Sequence, residues 1–195
     1  MSLIRSSRAD SRQPQVLDEA ARLFRTQGFE GTSVRDIARA VGMLPGSLYC
    51  HFATKEELLS AVYLKGVQQI SAAVKAAVTR HNDPWKRLEA ACVAHLDSVL
   101  RDDDYAQVVV RVRPADAPAV DQHLVGLRNR YEALFVQLVR DLPLSRGTDR
   151  RALRLMLVGA LNWSQTWYRA DGRLSPRAIA RKFIGLLRRG QERVT

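Results

Sequence analysis

The residues best suited to chemistry lie close together. They are the hydroxyl pair Thr32-Ser33 with Arg35, the small pair Gly46-Ser47, and then Tyr49, His51 and Lys55. Hydroxyls and cations donate to phosphate oxygens, and short side chains at a helix start let the backbone approach a base edge. The chemistry on offer is therefore recognition of a polyanion. Elsewhere the chain has no HExxH or CxxC spacing, no Gly-rich phosphate loop and no GxSxG elbow. His81, His95 and His123 are scattered over predicted helices. Neither a metal site nor a catalytic residue is expected, and no cofactor.

To present those residues together, the chain needs short helices in a fixed order. Val16, Ala20, Leu23 and Phe24 share the face of a first helix that Gly28 stops. Thr32 or Ser33 caps the next, with Val34, Ile37, Ala38 and Val41 at helical spacing and Gly42 ending it. Pro45 suits the first turn of a third, short helix. Thr54 with Glu57 reads as a capping box opening a long helix that carries Leu58, Val62, Tyr63, Val67, Ile70 and Val74. This order describes a helix-turn-helix, with Leu48 and Phe52 packing it onto the first helix and a second helix suited to a DNA major groove. Backbone N–H groups at Ser33 and Thr54 are expected to add phosphate contacts. A plain helical hairpin with Tyr49 and His51 as ordinary surface residues fits the same spacing.

Downstream, Asp83-Pro84, the 105–112 stretch, roughly 119–141, about 148–168, and Ser175-Pro176 onward read as further helices. Val108-Val109-Val110 suits a strand by propensity, yet no second strand exists to pair with it. The expected fold is all-α with about nine helices. Residues 1–54 are expected to form a DNA-binding domain with a basic arm carrying Arg5, Arg8 and Arg12, and residues 55–195 a second, helical domain.

The 195 residues carry a net charge of +11, which favours a nucleic-acid partner; an Arg-rich composition alone would give the same balance. A non-specific basic DNA-binding protein is one alternative reading. Two cysteines make no disulfide framework, and no apolar run spans a membrane, so a cytoplasmic location is expected.

At Thr32-Ser33-Val34-Arg35-Asp36-Ile37-Ala38, Gly42, Gly46-Ser47-Leu48-Tyr49-Cys50-His51-Phe52 and Lys55-Glu56-Glu57-Leu58 the chain resembles the tetracycline-repressor (TetR) family of bacterial transcriptional regulators. The resemblance implies a homodimer on a palindromic operator, acting as a repressor under a ligand-binding C-terminal domain. It implies that Thr32 or Ser33, Tyr49, His51 and Lys55 touch phosphates, while Gly46 and Ser47 face bases. Cys50 departs from the pattern, since an aromatic usually stands there. It reads as a small neutral replacement, a redox-active thiol, or a direct contact.

The second half offers an apolar helical bundle rich in aromatics, in which Tyr63, Trp85, Cys92, Tyr131, Phe135, Trp163 and Trp167 are candidates to line a pocket. The same side chains would serve equally as plain core or dimer seam. Met156, Gly159, Ala160 and Trp163, with Ile179, Phe183 and Leu187, are candidates for a two-fold four-helix interface. A weaker resemblance joins Gly159–Trp163, Trp167-Tyr168, Asp171–Ser175 and Met43–Tyr49 to regulators of fatty-acid and steroid catabolism. It implies an acyl-CoA effector, for whose phosphates Arg111, Arg113, Arg128, Arg130 and Arg169 are candidates. Another hydrophobic small molecule, or none, remains an alternative.

Overall fold

Most of the helices start where a side chain or a proline relieves their unpaired N–H groups. In the computed structural model, which describes residues 12–101 and 103–192, α1 (Gln13–Gln27) has Pro14 in its first turn and ends at Gly28, with φ of 79°. The expected basic arm at residues 1–11 lies outside the described residues. Ser33, not Thr32, caps α2 (Val34–Ala40): its hydroxyl accepts from the Asp36 N–H while the Asp36 carboxylate accepts from the Ser33 N–H. Gly42, with φ of 63°, makes the turn into α3 (Pro45–Tyr49). A residue with a Cβ is strained in that region.

The long helix α4 (Lys55–Val78) opens with the Thr54 hydroxyl accepting from the Glu57 N–H at 3.0 Å. Glu57 reaches back to the Ala53 N–H rather than to that of Thr54, so the box is one residue wider than expected. Asp83 caps α5 (Pro84–Leu100), and Asp149 caps α8 (Arg150–Trp163). Between them lie α6 (Asp104–Arg111), two 3-10 turns at Pro114–Asp116 and Pro118–Val120, and α7 (Asp121–Arg140). The valine run at 108–110 is thus helical. Ser175 caps α9 (Pro176–Glu192) by accepting from the Ala178 N–H. Nine α-helices and no strand are present among the described residues.

The helix expected to reach Tyr168 stops at Trp163 and tightens into a 3-10 turn, Ser164–Thr166. The buried Ser164 hydroxyl donates to the Ala160 carbonyl, and the Tyr168 N–H returns to the Ser164 carbonyl at 2.9 Å. Hydroxyl groups that bond their own backbone compete with the helical ladder. Trp167 therefore lies outside the helix.

The chain divides into two compact units, Met1–Val67 with Asp104–Leu127 and Gln68–Asp103 with Arg128–Thr195. In the first, α1 packs on α2 and on α6, and α4 passes α6 so closely at Gly66 that a Cβ there would stand 2.6 Å from the Tyr105 carbonyl oxygen. In the second, α5 is central and packs on α9, on α8 and on the 164–166 turn. Ile179, Ala180 and Ile184 turn inward from α9, while Leu88, Cys92, Leu96 and Val99 are the buried face of α5.

Candidate nucleic-acid interface and effector core

In the first unit, Leu48 and Phe52 are buried, as are Val16, Leu23 and Phe24 of α1 and Val34 and Ile37 of α2. That burial leaves the opposite edge of α3 facing outward. Gly46 and Ser47 are exposed there, and nothing lies within 4 Å of where a Gly46 Cβ would stand. Tyr49 is 51% exposed and Leu44, at the N-cap, 77%. The Cys50 thiol, also exposed, donates to the Gly46 carbonyl at 3.4 Å. Arg35 is exposed on α2 with no ion pair among the described residues, and His51 is half-buried.

Two residues from the expected phosphate set face inward instead. Thr32 is 1% exposed, and its hydroxyl donates to the carbonyls of Gly28 and Leu23. It closes the α1–α2 turn and offers no donor outward. The Lys55 ammonium lies over the Phe29 ring and donates to the Phe29 carbonyl at 2.9 Å. It ties α4 to the end of the α1–α2 turn. At the N-terminus of α2 the Asp36 carboxylate already meets the Ser33 N–H expected to bind phosphate, whereas at α4 Glu57 takes the neighbouring Ala53 N–H. Ser33 bonds to Asp36, whose carboxyl is held below the usual range by those two Ser33 bonds. What remains outward is Gly46, Ser47, Tyr49, Arg35 and the exposed rim at Ser33.

The first unit also contains a polar clasp with no sequence motif. Tyr105 on α6 donates to the Asp18 carboxylate of α1 at 2.6 Å, and Lys65 of α4 donates to both groups. The Tyr105 bond, followed by Lys65, holds the Asp18 carboxyl below its ordinary value. Arg25 and Asp104 add an ion pair at 2.8 Å between α1 and α6. These helices are joined at residues far apart in sequence, which periodicity cannot reveal.

The second unit brings together only some of the residues expected to line a pocket. Tyr131 and Phe135 of α7 pack edge to face beside His95 of α5, with Cys92 as a near neighbour. Trp85 is buried on the same α5 face. Burial pushes the Cys92 thiol far up, so it is an inert packing group. Tyr63 is fully buried, but it belongs to the first unit. Trp163 is 68% exposed, and Trp167 is exposed as well, so neither lines the interior of this unit. His95, buried at 1% exposure with its Nδ1 2.5 Å from the Tyr131 hydroxyl, is the polar centre of the cluster. Its position three residues after Cys92 and seven after Leu88 was the available signal.

The expected dimer set also divides. Met156, 59% exposed, and Gly159 and Trp163 form an open apolar stripe on α8 with Leu155 beside it, and Ala160 is half-buried. Phe183 and Leu187 are half-buried on α9, where Leu186 stands out. Ile179 is buried within the unit and belongs to its core. Of the arginines proposed for phosphates, Arg113 pairs with Asp116 and Arg169 with Asp171.

Comparison with known proteins gives two family matches. Residues 16–62 match the family model for bacterial regulatory proteins of the tetR family, and residues 81–191 match the tetracyclin repressor-like C-terminal domain. The HTH-type transcriptional repressor KstR2 of Mycobacterium tuberculosis is 28% identical over 189 residues, covering 93% of this chain and 94% of that protein. The crystal structure of AibR in complex with isovaleryl coenzyme A and operator DNA superposes with a TM-score of 0.78 at 26% identity, over 90% of this chain and 97% of AibR. The TetR-family regulator PfmR from Thermus thermophilus gives 0.73 at 29% identity, over 89% and 97%.

Proposed function

The chain belongs to the tetracycline-repressor family of bacterial regulatory proteins, and from that premise we propose that it represses transcription as a homodimer on a palindromic operator. A hydrophobic effector of the acyl-CoA type releases it. The observation that carries the DNA-reading part is the outer edge of α3, where the exposed Gly46 backbone has open space in front of it between Leu44, Ser47 and Tyr49. Leu44 and the Tyr49 ring present apolar surface that a groove wall would cover. Arg35 flanks that edge as a phosphate donor.

The acyl-CoA class is supported by AibR, a protein of this fold bound to both isovaleryl coenzyme A and operator DNA, and by the match to KstR2. The DNA-reading role falls to residues 1–54, and the effector and dimer roles to 55–195. The α8 stripe at Met156, Gly159 and Trp163, with Phe183 and Leu187 of α9, is the dimer seam, because small Gly159 lets a partner helix approach. α4 is one unbroken helix from Lys55 to Val78, so an effector that displaces its distal part moves its first turn. Effector and DNA then oppose each other with one coupling energy, typically ~1–3 kcal/mol. The protein acts by binding, in the cytoplasm, and turns over no thioester.

Fluorescence anisotropy on the upstream region of its own gene tests the reading. Operator DNA should outcompete random duplex, and acyl-CoAs should release it where free CoA and fatty acids do not. Equal competition by random DNA, with a steep salt slope, would instead show a non-specific basic binder.

A further inference from the structure

Leu44, at 77% exposed, is the most exposed large apolar side chain among the described residues. Trp163, Leu186 and Met156 follow it, and all three stand on α8 or α9, the helices of the proposed dimer seam. Leu44 instead belongs to the first unit, in the turn just before α3. Nothing in the folding of that turn calls for a leucine. It occupies the N-cap of α3, with extended backbone at φ −73° and ψ 141°, and makes no side-chain cap bond. Ser33, Thr54, Asp83, Asp149 and Ser175 show what this chain uses at other helix starts, an oxygen that accepts from a first-turn N–H. A leucine forgoes that bond and leaves its side chain in water. A residue that breaks the local rule with no gain to the fold points to a function.

The backbone under Leu44 is fixed. Its carbonyl accepts from the Ser47 and Leu48 N–H groups at 2.9 and 3.3 Å, and Leu48 is fully buried. Pro45 confines the residue before it to extended conformations. The side chain therefore projects from a rigid corner. Beside it are the exposed Ser47 and Gly46, where no atom lies within 4 Å of a Cβ position. Of the four bases, only thymine carries a methyl group on its major-groove edge, and an apolar side chain is what matches it. We propose that Leu44 is a specificity-determining residue that reads a thymine methyl in each operator half-site. The proposal rests on the DNA-reading assignment of α3 given above. Burying one methyl against the leucine is worth about fourfold in affinity per half-site, and about fifteenfold for a dimer that meets both.

The test uses the full-length protein and a duplex from the upstream region of its own gene, read by fluorescence anisotropy. Each thymine of the bound half-sites is replaced in turn by deoxyuridine, which keeps every hydrogen-bonding group and lacks only the methyl. At one thymine in each half-site the replacement should weaken wild-type binding about fourfold, and about fifteenfold when both are replaced. Leu44→Ser shortens the side chain and can supply the missing cap, so it should melt no lower than the wild type. It should bind the thymine and uracil duplexes equally, whereas Leu44→Met, apolar and of similar reach, should keep the preference. A Leu44 that merely packed within the protein would weaken both duplexes alike on substitution and leave their ratio unchanged. No uracil-sensitive thymine in the wild type, or an undiminished preference in Leu44→Ser, would overturn the proposal while leaving sequence-specific binding in place. If the upstream duplex and random DNA bind equally, the DNA-reading assignment itself fails, and the proposal with it.

Discussion

Acidifying the protein should expose the buried imidazole of His95 more cleanly than any truncation. Its folded value is about 4 against 6.5 when solvated, because burial penalises the charged ring. Between those values the unfolded chain takes up a proton that the folded chain refuses, so stability falls as pH falls. The full effect is present above pH 6.5 and lost on the way down to about 4. The gap of about 2.5 units, at about 1.36 kcal/mol each, is worth about 3 kcal/mol, of which about 2 is gone by about pH 5. Carboxylates held low, such as Asp18, Asp36 and Asp116, titrate below this window. The assay is urea unfolding at about pH 7 and about pH 5, at one protein concentration, for wild type and His95→Gln. Glutamine fills much the same space and does not titrate, and the other histidines are common to both proteins. The wild type should lose about 2 kcal/mol more than the variant across the interval. Losses equal within about 0.5 kcal/mol would show that His95 is not buried and neutral.

Three further outcomes concern the first unit and one the dimer seam. Gly46→Ala should leave the melting temperature unchanged, since its Cβ meets open space, yet weaken operator binding at least several-fold. Gly42→Ala, at a φ of 63°, should cost about 1 kcal/mol of stability by chemical denaturation. Tyr105→Phe should cost about 1 kcal/mol and let the Asp18 carboxyl rise toward its ordinary value, which carboxylate NMR titration would register. Trp163→Glu should dissociate the dimer in sedimentation velocity, because a carboxylate would be buried in an apolar seam; an unchanged dimer would place the interface elsewhere.

What the sequence determined by itself is what local rules control. Pro14, Pro45, Pro84 and Pro176 mark helix starts, Gly28 and Gly42 mark stops, and Ser33, Thr54 and Asp83 supply caps, each a matter of a few adjacent residues. The outward edge of α3 was legible for the same reason: once Leu48 and Phe52 face inward, Gly46, Ser47 and Tyr49 have only the other side. Tertiary structure decided which polar groups were spent on the protein itself. Thr32 and Lys55 have the residue types of phosphate ligands, but the Gly28, Leu23 and Phe29 carbonyls needed donors and took them. Trp163 has the type of a core residue, yet α8 turns it outward. The Asp18–Lys65–Tyr105 clasp and the His95–Tyr131 pair join residues dozens of positions apart. Helical periodicity names the buried face of each helix. Which face of another helix it meets, and hence which buried donor finds an acceptor, is fixed only when the helices pack.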